Sequence, residues 1–230
     1  MIMRQRLQAI LVVASLVTGA TGTASMVTFR RGQDFDLVAS ANPATPGSTD
    51  ADRTAMFERA RGKKARADAV AAASATCDGC SGTATAVQVI YVGKAKKGTA
   101  DNLATAWSSC QDCGAVSVSV QVVVVRPGTE LTARNRAQAV NSSCKGCTSG
   151  AVAVQLVVVT SKHRAFSREG RQQLEALASE LESQLRTANR TEAARTMATQ
   201  DQPGLTRIES LVGKELKPIS VQPRFVVQTG

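Results

Sequence analysis

Six cysteines, all in C-x-x-C pairs, are the residues of this 230-residue chain best suited to chemistry. The pairs are Cys77/Cys80, Cys110/Cys113 and Cys144/Cys147, and their first members stand 33 and 34 residues apart. Four chemistries compete for them. Each pair can close on itself, or cysteines at equivalent levels can join neighbouring copies; both give structural disulfides and suit an exported chain with an even cysteine count. Chain entropy gives roughly 2 kcal/mol for a four-residue loop and about 4 kcal/mol for one near 34 residues. Sequence does not choose among the pairings that six cysteines allow, although each unit carries its own complete pair. Zinc needs two C-x-x-C arms. Three arms leave one orphaned, and the spacing exceeds the roughly 15–20 residues of a zinc ribbon. Thiol exchange of the thioredoxin kind needs the pair at a helix N-terminus, where the dipole lowers the nucleophile's pKa. Here each pair precedes a strand-like run and follows a stretch that reads as helix, so the field has the wrong sign. Three near-equal copies also point to structure, and the cysteines are expected to pin the turn into each strand.

The elements that position the cysteines recur with them, and a fixed period is the mark of a stacked repeat. Eleven residues after each first cysteine stands a glutamine, Gln88, Gln121 or Gln155, flanked by valine and followed by an apolar run. In the second unit Val116, Val118, Val120, Val122 and Val124 alternate onto one face, with Ala115, Ser117, Ser119, Gln121 and Val123 on the other. That is strand periodicity. The small face invites another layer to approach closely. Between the strands, "TADNLATAW" (99–107) and "ELTARNRAQAV" (130–140) read as short helices, with a strand-like arm as the alternative because Ala104/Ala106 and Ala137/Ala139 also fit period two. "RADAVAAASAT" (66–76) is the clearest helix of the set by propensity. The predicted fold is an α/β repeat: three strand–turn–helix units of 33–34 residues forming a small parallel sheet or short solenoid, followed by an amphipathic helix. Equivalent residues in such a stack lie about 4.8 Å apart, which predicts a ladder of side-chain amides through Gln88, Gln121 and Gln155.

The flanks divide the rest of the chain. A basic start, "MIMRQR", an apolar run, "LQAILVVASLVTGA", and the small residues "TGTAS" make the three-part pattern of a secretory signal over 1–24. No charge falls between Leu7 and Phe29, so an uncleaved anchor reaching to 29 is the alternative. Residues 25–56 read as a flexible spacer, 57–160 as the cysteine-repeat domain, 161–190 as an amphipathic helix, and 191–230 as a polar tail with a short helix and a strand around Phe225–Val227. In the helix Leu174, Leu177, Leu181 and Leu185 form one stripe, Ser167 is an N-cap and Asn189 an end signal. The stripe is expected to cap the open edge of the stack or to pair with a second copy. Glu175, Glu180, Glu182, Arg171 and Arg186 read as its solvated face.

Aromatic residues make up only 3% against 43% apolar, so alanine and valine must fill thin, closely stacked layers. The net charge of +10 attracts anionic surfaces, but it reads as scattered. Its richest cluster, "ERARGKKARAD" (58–68), holds no aromatic, which argues against nucleic acid. No P-loop, dinucleotide glycine pattern, H-E-x-x-H or G-x-S-x-G is present. The single histidine, His163, lies beyond the last repeat with nothing to place it beside a nucleophile, and reads as a surface residue.

The units "ATAWSSCQDCGAVSVSVQVVVV" and "AQAVNSSCKGCTSGAVAVQLVVV", followed by "FSREGRQQLEALASELESQL", resemble exported C-x-x-C repeat proteins of actinobacterial type over about residues 68–188. Some of those carry zinc-metalloprotease names. The resemblance implies no established activity, and this chain lacks the metalloprotease helix motif, so no catalytic residue is carried over. The expected function is that of an exported, non-enzymatic structural or interaction protein of the extracellular cell envelope, with no cofactor and no metal. Its partner is an envelope component or a second copy of the chain, since "VQVIYV", "VQVVVV" and "VQLVVV" have a steric-zipper profile. Membrane contact runs only through the N-terminal segment if it is uncleaved. The alternative is an envelope thiol redox or metal-handling protein using the C-x-x-C pairs.

Overall fold

A computed structural model describes residues 34–93, 95–188 and 203–230; the signal or anchor segment and Asn189 lie outside them. The chain winds into a β-solenoid of about four coils, each made of two strands. The strands are β1 (Asp34–Ala41), β2 (Thr49–Ala60), β3 (Lys64–Ala75), β4 (Ser81–Val92), β5 (Lys97–Ser108), β6 (Gly114–Val125), β7 (Glu130–Asn141) and β8 (Thr148–Val159). Odd-numbered strands stack in parallel as one sheet, β1-β3-β5-β7, and even-numbered ones as the facing sheet, β2-β4-β6-β8. A last strand, β9 (Ser220–Thr229), joins the second sheet antiparallel to β8.

The valine rows therefore run parallel and in register, as the 33–34-residue period predicts, with Gln88 beside Gln121 and Gln121 beside Gln155. The helices expected between them do not form. Residues 66–76, 99–107 and 130–140 fall mainly in β3, β5 and β7, so each unit is strand–turn–strand. Alanine's helix preference is worth only tenths of a kcal/mol per residue over most competitors. Alternate alanines on a strand instead let two sheets face each other at short range: Ala71, Ala73, Ala104 and Ala106 of the first sheet pack with Ala84, Ala86, Ala115 and Ala151 of the second. The approach is tight enough that a Cβ added at Gly82 would lie 2.4 Å from Ser74 O in the strand opposite. The strand-like alternative holds for 99–107 and 130–140, and 66–76, expected as the clearest helix, is mainly strand as well.

The stretch read as a spacer supplies a fourth, N-terminal coil: β1 pairs with β3 and β2 with β4. Its sequence lacks cysteines and valine runs, which hid it. As an end coil it carries an edge device. Asp50 and Asp52 of β2 accept hydrogen bonds from Asn42 N (2.6 Å) and Ser40 N (2.7 Å). These inward-turned carboxylates occupy backbone donors that an exposed edge would offer to another chain. At the far end β9 performs the same service. Its Gln228 accepts from Ala139 N, its Arg224 guanidinium donates to Ala133 O, and its Pro223 lacks a donor of its own.

Two helices, α1 (Arg168–Ala188) and α2 (Pro203–Leu216), cover the outer, valine-bearing face of the second sheet. Ser167 Oγ accepts from Gly170 N at 2.9 Å, as an N-cap should. The leucine stripe Leu174, Leu177, Leu181 and Leu185 is buried against Val87, Val118, Val120 and Val154, and also against Ile208 and Val212 of α2. It caps a sheet face rather than the edge of the stack. Glu182 departs from the solvated-face reading. It is 1% exposed and accepts from Arg53 Nε (3.0 Å) and Nη2 (2.9 Å), Thr85 Oγ1 (2.8 Å) and Arg186. These donors tie α1 to β2 and β4, and the carboxylate raises the Arg53 pKa above its ordinary value. Arg171 lies over the Phe57 ring, 5.1 Å from its centroid.

The chain's one tyrosine joins the same layers: Tyr91 is buried and its Oη accepts from Phe166 N at 2.9 Å. Burial raises its pKa above the ordinary value of about 10. A folded-state pKa above the unfolded one adds stability that is intact below about pH 10 and lost as pH rises through the folded value. Absorbance titration of the phenolate should therefore give a midpoint above 10 that coincides with alkaline loss of structure. Tyr91→Phe should cost about 1–2 kcal/mol at neutral pH, by orphaning Phe166 N, and should flatten the alkaline decline. A phenolate midpoint at or below 10 in the folded protein would contradict this placement.

Candidate functional site

The cysteines occupy one edge of the solenoid, where each coil passes from the first sheet to the second. The structure pairs Cys77 with Cys80, Cys110 with Cys113 and Cys144 with Cys147, with Cα–Cα separations of 5.4, 5.9 and 5.6 Å. All fall in the window a disulfide requires. Each pair closes a tight turn whose third residue has positive φ: Gly79 (68°), Asp112 (51°) and Gly146 (71°). Glycine takes that conformation without steric cost and aspartate tolerates it. Thr45-Pro46-Gly47-Ser48 makes the same turn without sulphur in the N-terminal coil, with Gly47 at 72° and Ser48 N donating to Thr45 O at 3.0 Å. Backbone bonds run from turn to turn: Gly47 N to Asp78 O (2.8 Å), Gly79 N to Gln111 O (2.8 Å) and Asp112 N to Lys145 O (2.9 Å).

Stacking brings sulphur of different pairs together. Cys113 Sγ lies 3.3 Å from Cys147 Sγ, and Cys110 N donates to Cys144 Sγ at 3.3 Å. The Sγ atoms of Cys110, Cys113 and Cys147 all lie within 4.8 Å of one another. Cys80 and Cys113 are buried, while the other four are partly exposed. As disulfides these sulphurs hold no metal; after reduction the same trio is close enough to share a soft cation such as zinc.

Behind the turns the three glutamines form a continuous row between the sheets. Gln121 Nε2 donates to Gln88 Oε1 and Gln155 Nε2 to Gln121 Oε1, both at 2.7 Å. Each amide also reaches across to carbonyls of the opposite sheet: Gln88 to Phe35 O (2.7 Å), Gln121 to Ala67 O (3.0 Å) and Gln155 to Arg134 O (2.9 Å). All three side chains are fully buried. The row therefore fastens coil to coil and sheet to sheet.

A second amide row escaped the sequence reading. Asn102 Nδ2 donates to Asn135 Oδ1 (2.8 Å), Ser119 O (3.1 Å) and Val154 O (2.9 Å), and Ser119 Oγ donates to Asn102 Oδ1 (2.6 Å). Asn135 Nδ2 continues to Ala153 O (2.8 Å) and to Arg224 O (3.0 Å) of β9. The 33-residue spacing of the two asparagines was the available signal, obscured by the helix assignment and by Ala69 at the equivalent position in β3.

The helices leave the outer face of the first sheet to solvent. Val38, Trp107 and Val140 are 59%, 53% and 40% exposed there, and a shallow groove crosses Ser40, Ala72, Thr105, Trp107, Gln138 and Val140. His163 is exposed beside Gly93, in the turn after β8.

The middle rung of the glutamine row has partners on both sides and the last does not, because Gln155 Oε1 is buried without a hydrogen-bond partner among the described residues. Gln121→Leu should cost about 3 kcal/mol or more in urea unfolding by orphaning buried groups on two neighbours, and Gln155→Leu distinctly less. Equal costs would show that the rungs act independently. No protein-family model, curated protein or solved structure matches this chain.

Proposed function

We propose that this protein is a non-enzymatic scaffold that works outside the cytoplasm, a rigid solenoid whose disulfide-pinned coils hold a flat sheet face toward a cell-envelope partner. The observation that carries the reading is the column of three C-x-x-C bridges closing equivalent turns of successive coils. Bridges of this kind persist in oxidising compartments and are kept reduced in the cytosol. The N-terminal signal pattern agrees with that placement. Two amide rows and a valine layer locked under helices favour rigidity over turnover, and the groove beside Trp107 is the accessible part of the sheet face. The zipper-like segments lie in β4, β6 and β8, buried between the first sheet and the helices, so the envelope partner is favoured over assembly through those strands.

Non-reducing peptide mapping of protein recovered from outside the cell should return Cys77–Cys80, Cys110–Cys113 and Cys144–Cys147. Reduction should lower stability by roughly 2 kcal/mol per bridge. Six free thiols in freshly exported protein would overturn the reading.

A second reading, thiol exchange, is favoured by the 3.3 Å approach of Cys113 and Cys147 sulphurs. Cys144→Ser leaves Cys147 as an odd thiol. Its thiolate attacks Cys113 Sγ, the Cys147–Cys113 bond forms, the Cys113–Cys110 bond breaks, and Cys110 departs as thiolate and takes up the proton. Alkylation and mapping of this variant should find label on both Cys147 and Cys110. Label confined to Cys147 would limit the bridges to separate staples.

A further inference from the structure

The edge opposite the cysteines gathers most of the chain's excess charge. The segments leaving β2, β4, β6 and β8 all lie there: the first three return the chain to the first sheet, and the last, at the equivalent end of β8, leads to α1. The described residues of segments 58–64, 93–97, 126–130 and 160–165 include nine of the 28 lysines and arginines but only two of the 18 acidic residues. The cysteine turns, in contrast, hold Asp78, Asp112 and Lys145. In linear sequence the basic residues are about one coil apart and look scattered; stacking makes them a ridge. Lys96 N donates to Lys63 O (3.1 Å) and Glu130 N to Lys96 O (2.9 Å), so these turns rest directly on one another.

Glu130 pairs with Lys97 at 3.0 Å, while Lys63, Lys96 and Lys162 are exposed. Arg126 keeps one guanidinium nitrogen, Nη1, buried without a hydrogen-bond partner among the described residues, in a crease shared with Arg59, Lys162, His163 and Arg164. Cations stacked at the inter-coil spacing of about 4.8 Å repel one another. A fold that spends two amide rows on register gains nothing from this repulsion unless an anion relieves it.

We infer that this ridge is a binding site for a linear, phosphate-bearing polyanion that lies along the stack of turns. The shape selects the class. The ridge is one turn wide and four coils long, about 15 Å at the inter-coil spacing, which suits an extended chain of phosphates. A bilayer surface favours a broad basic face with apolar side chains to insert, and a single-stranded nucleic acid favours aromatic stacking platforms. Among the described residues the aromatics next to the ridge are turned into the core: Tyr91 lies under Arg59, Phe166 is buried beside it, and Phe57 is partly buried. The inference rests on the scaffold reading only for the compartment in which the polymer is met; its test uses purified oxidised protein, so failure here leaves the bridge map unaffected.

The experiment is titration of the full oxidised protein with short-chain inorganic polyphosphate, with a thymidine oligonucleotide of matched charge and anionic phosphatidylglycerol vesicles as competing arms. Polyphosphate should bind most tightly. Its affinity should fall about 50-fold between roughly 50 and 200 mM salt if about four phosphates are engaged. Lys63→Glu with Lys96→Glu should weaken binding about tenfold or more, with the milder Lys63→Gln/Lys96→Gln pair in reserve should the reversal impair folding. Lys145→Glu, on the cysteine edge, should leave it within about twofold. The inference is overturned by absence of polyphosphate binding at low salt, by equal losses at Lys145 and at the ridge pair, or by tighter binding of the oligonucleotide or the vesicles.

Discussion

Register is the constraint on which the whole molecule depends. Each coil must lay its strands beside equivalent residues of the next, because a shift of one residue would turn the valines inward and the glutamines outward. The amide rows enforce this. A buried amide satisfied by its counterpart one coil away has no alternative partner at neighbouring levels, and leaving it unbonded costs about 1–3 kcal/mol. Gln121 bonds at once to Gln88, Gln155 and Ala67 O, so a slip at one coil would orphan groups in three. Valine ladders alone specify register weakly, since one valine resembles the next; the polar rows supply the uniqueness.

The same rows divide the space between the sheets. On the cysteine side of the glutamines the inner layer is built of small residues, with Ala73, Ala84, Ala86, Ala106 and Ala115 beside Ser117, Ser119 and the asparagine row. On the other side Ile90, Val92, Val123, Val125 and Val157 face Ala65, Ala67 and Ala100. The helices then add a second, larger apolar layer on the valine face. Three layers with so few aromatic residues are possible because no gap between them is wide, and the sandwich stays thin where alanine meets alanine.

How far this was legible in the sequence follows from the distance over which each signal acts. Repeat length, strand placement for β4, β6 and β8 and the glutamine row all derive from an identical offset in three copies, which survives without coordinates; the cysteine pairing does not, since the offset alone fits both closure within each pair and bridges between copies. The helix assignment for β3, β5 and β7 failed because propensity is local while the reason for alternate alanine is a facing sheet tens of residues away. The N-terminal coil was missed because an end coil lacks a neighbour on one side: it exchanges cysteine for Thr45 and Ser48, and core alanine for Asp52. Glu182 was taken for surface because its partners, Arg53 and Thr85, lie 129 and 97 residues away in sequence. The basic ridge was invisible for the same reason, its members being one coil apart.

The position of the bridges has a physical rationale in this uneven interior. Replacing a buried valine by alanine forfeits about 1.5 kcal/mol of apolar burial, taking about 0.8 kcal/mol for each methylene-sized group lost. The alanine half of each coil is therefore the weaker half, and its turns would open first. A bridge across a four-residue loop returns roughly 2 kcal/mol, comparable with one such deficit per coil, and places it at the turn that closes the thin end. The opposite turns have isoleucine and valine behind them and need no covalent tie, which frees them to carry charge. Stapled thin edge and charged thick edge are thus two results of one choice: small side chains on one side of the amide row and branched ones on the other.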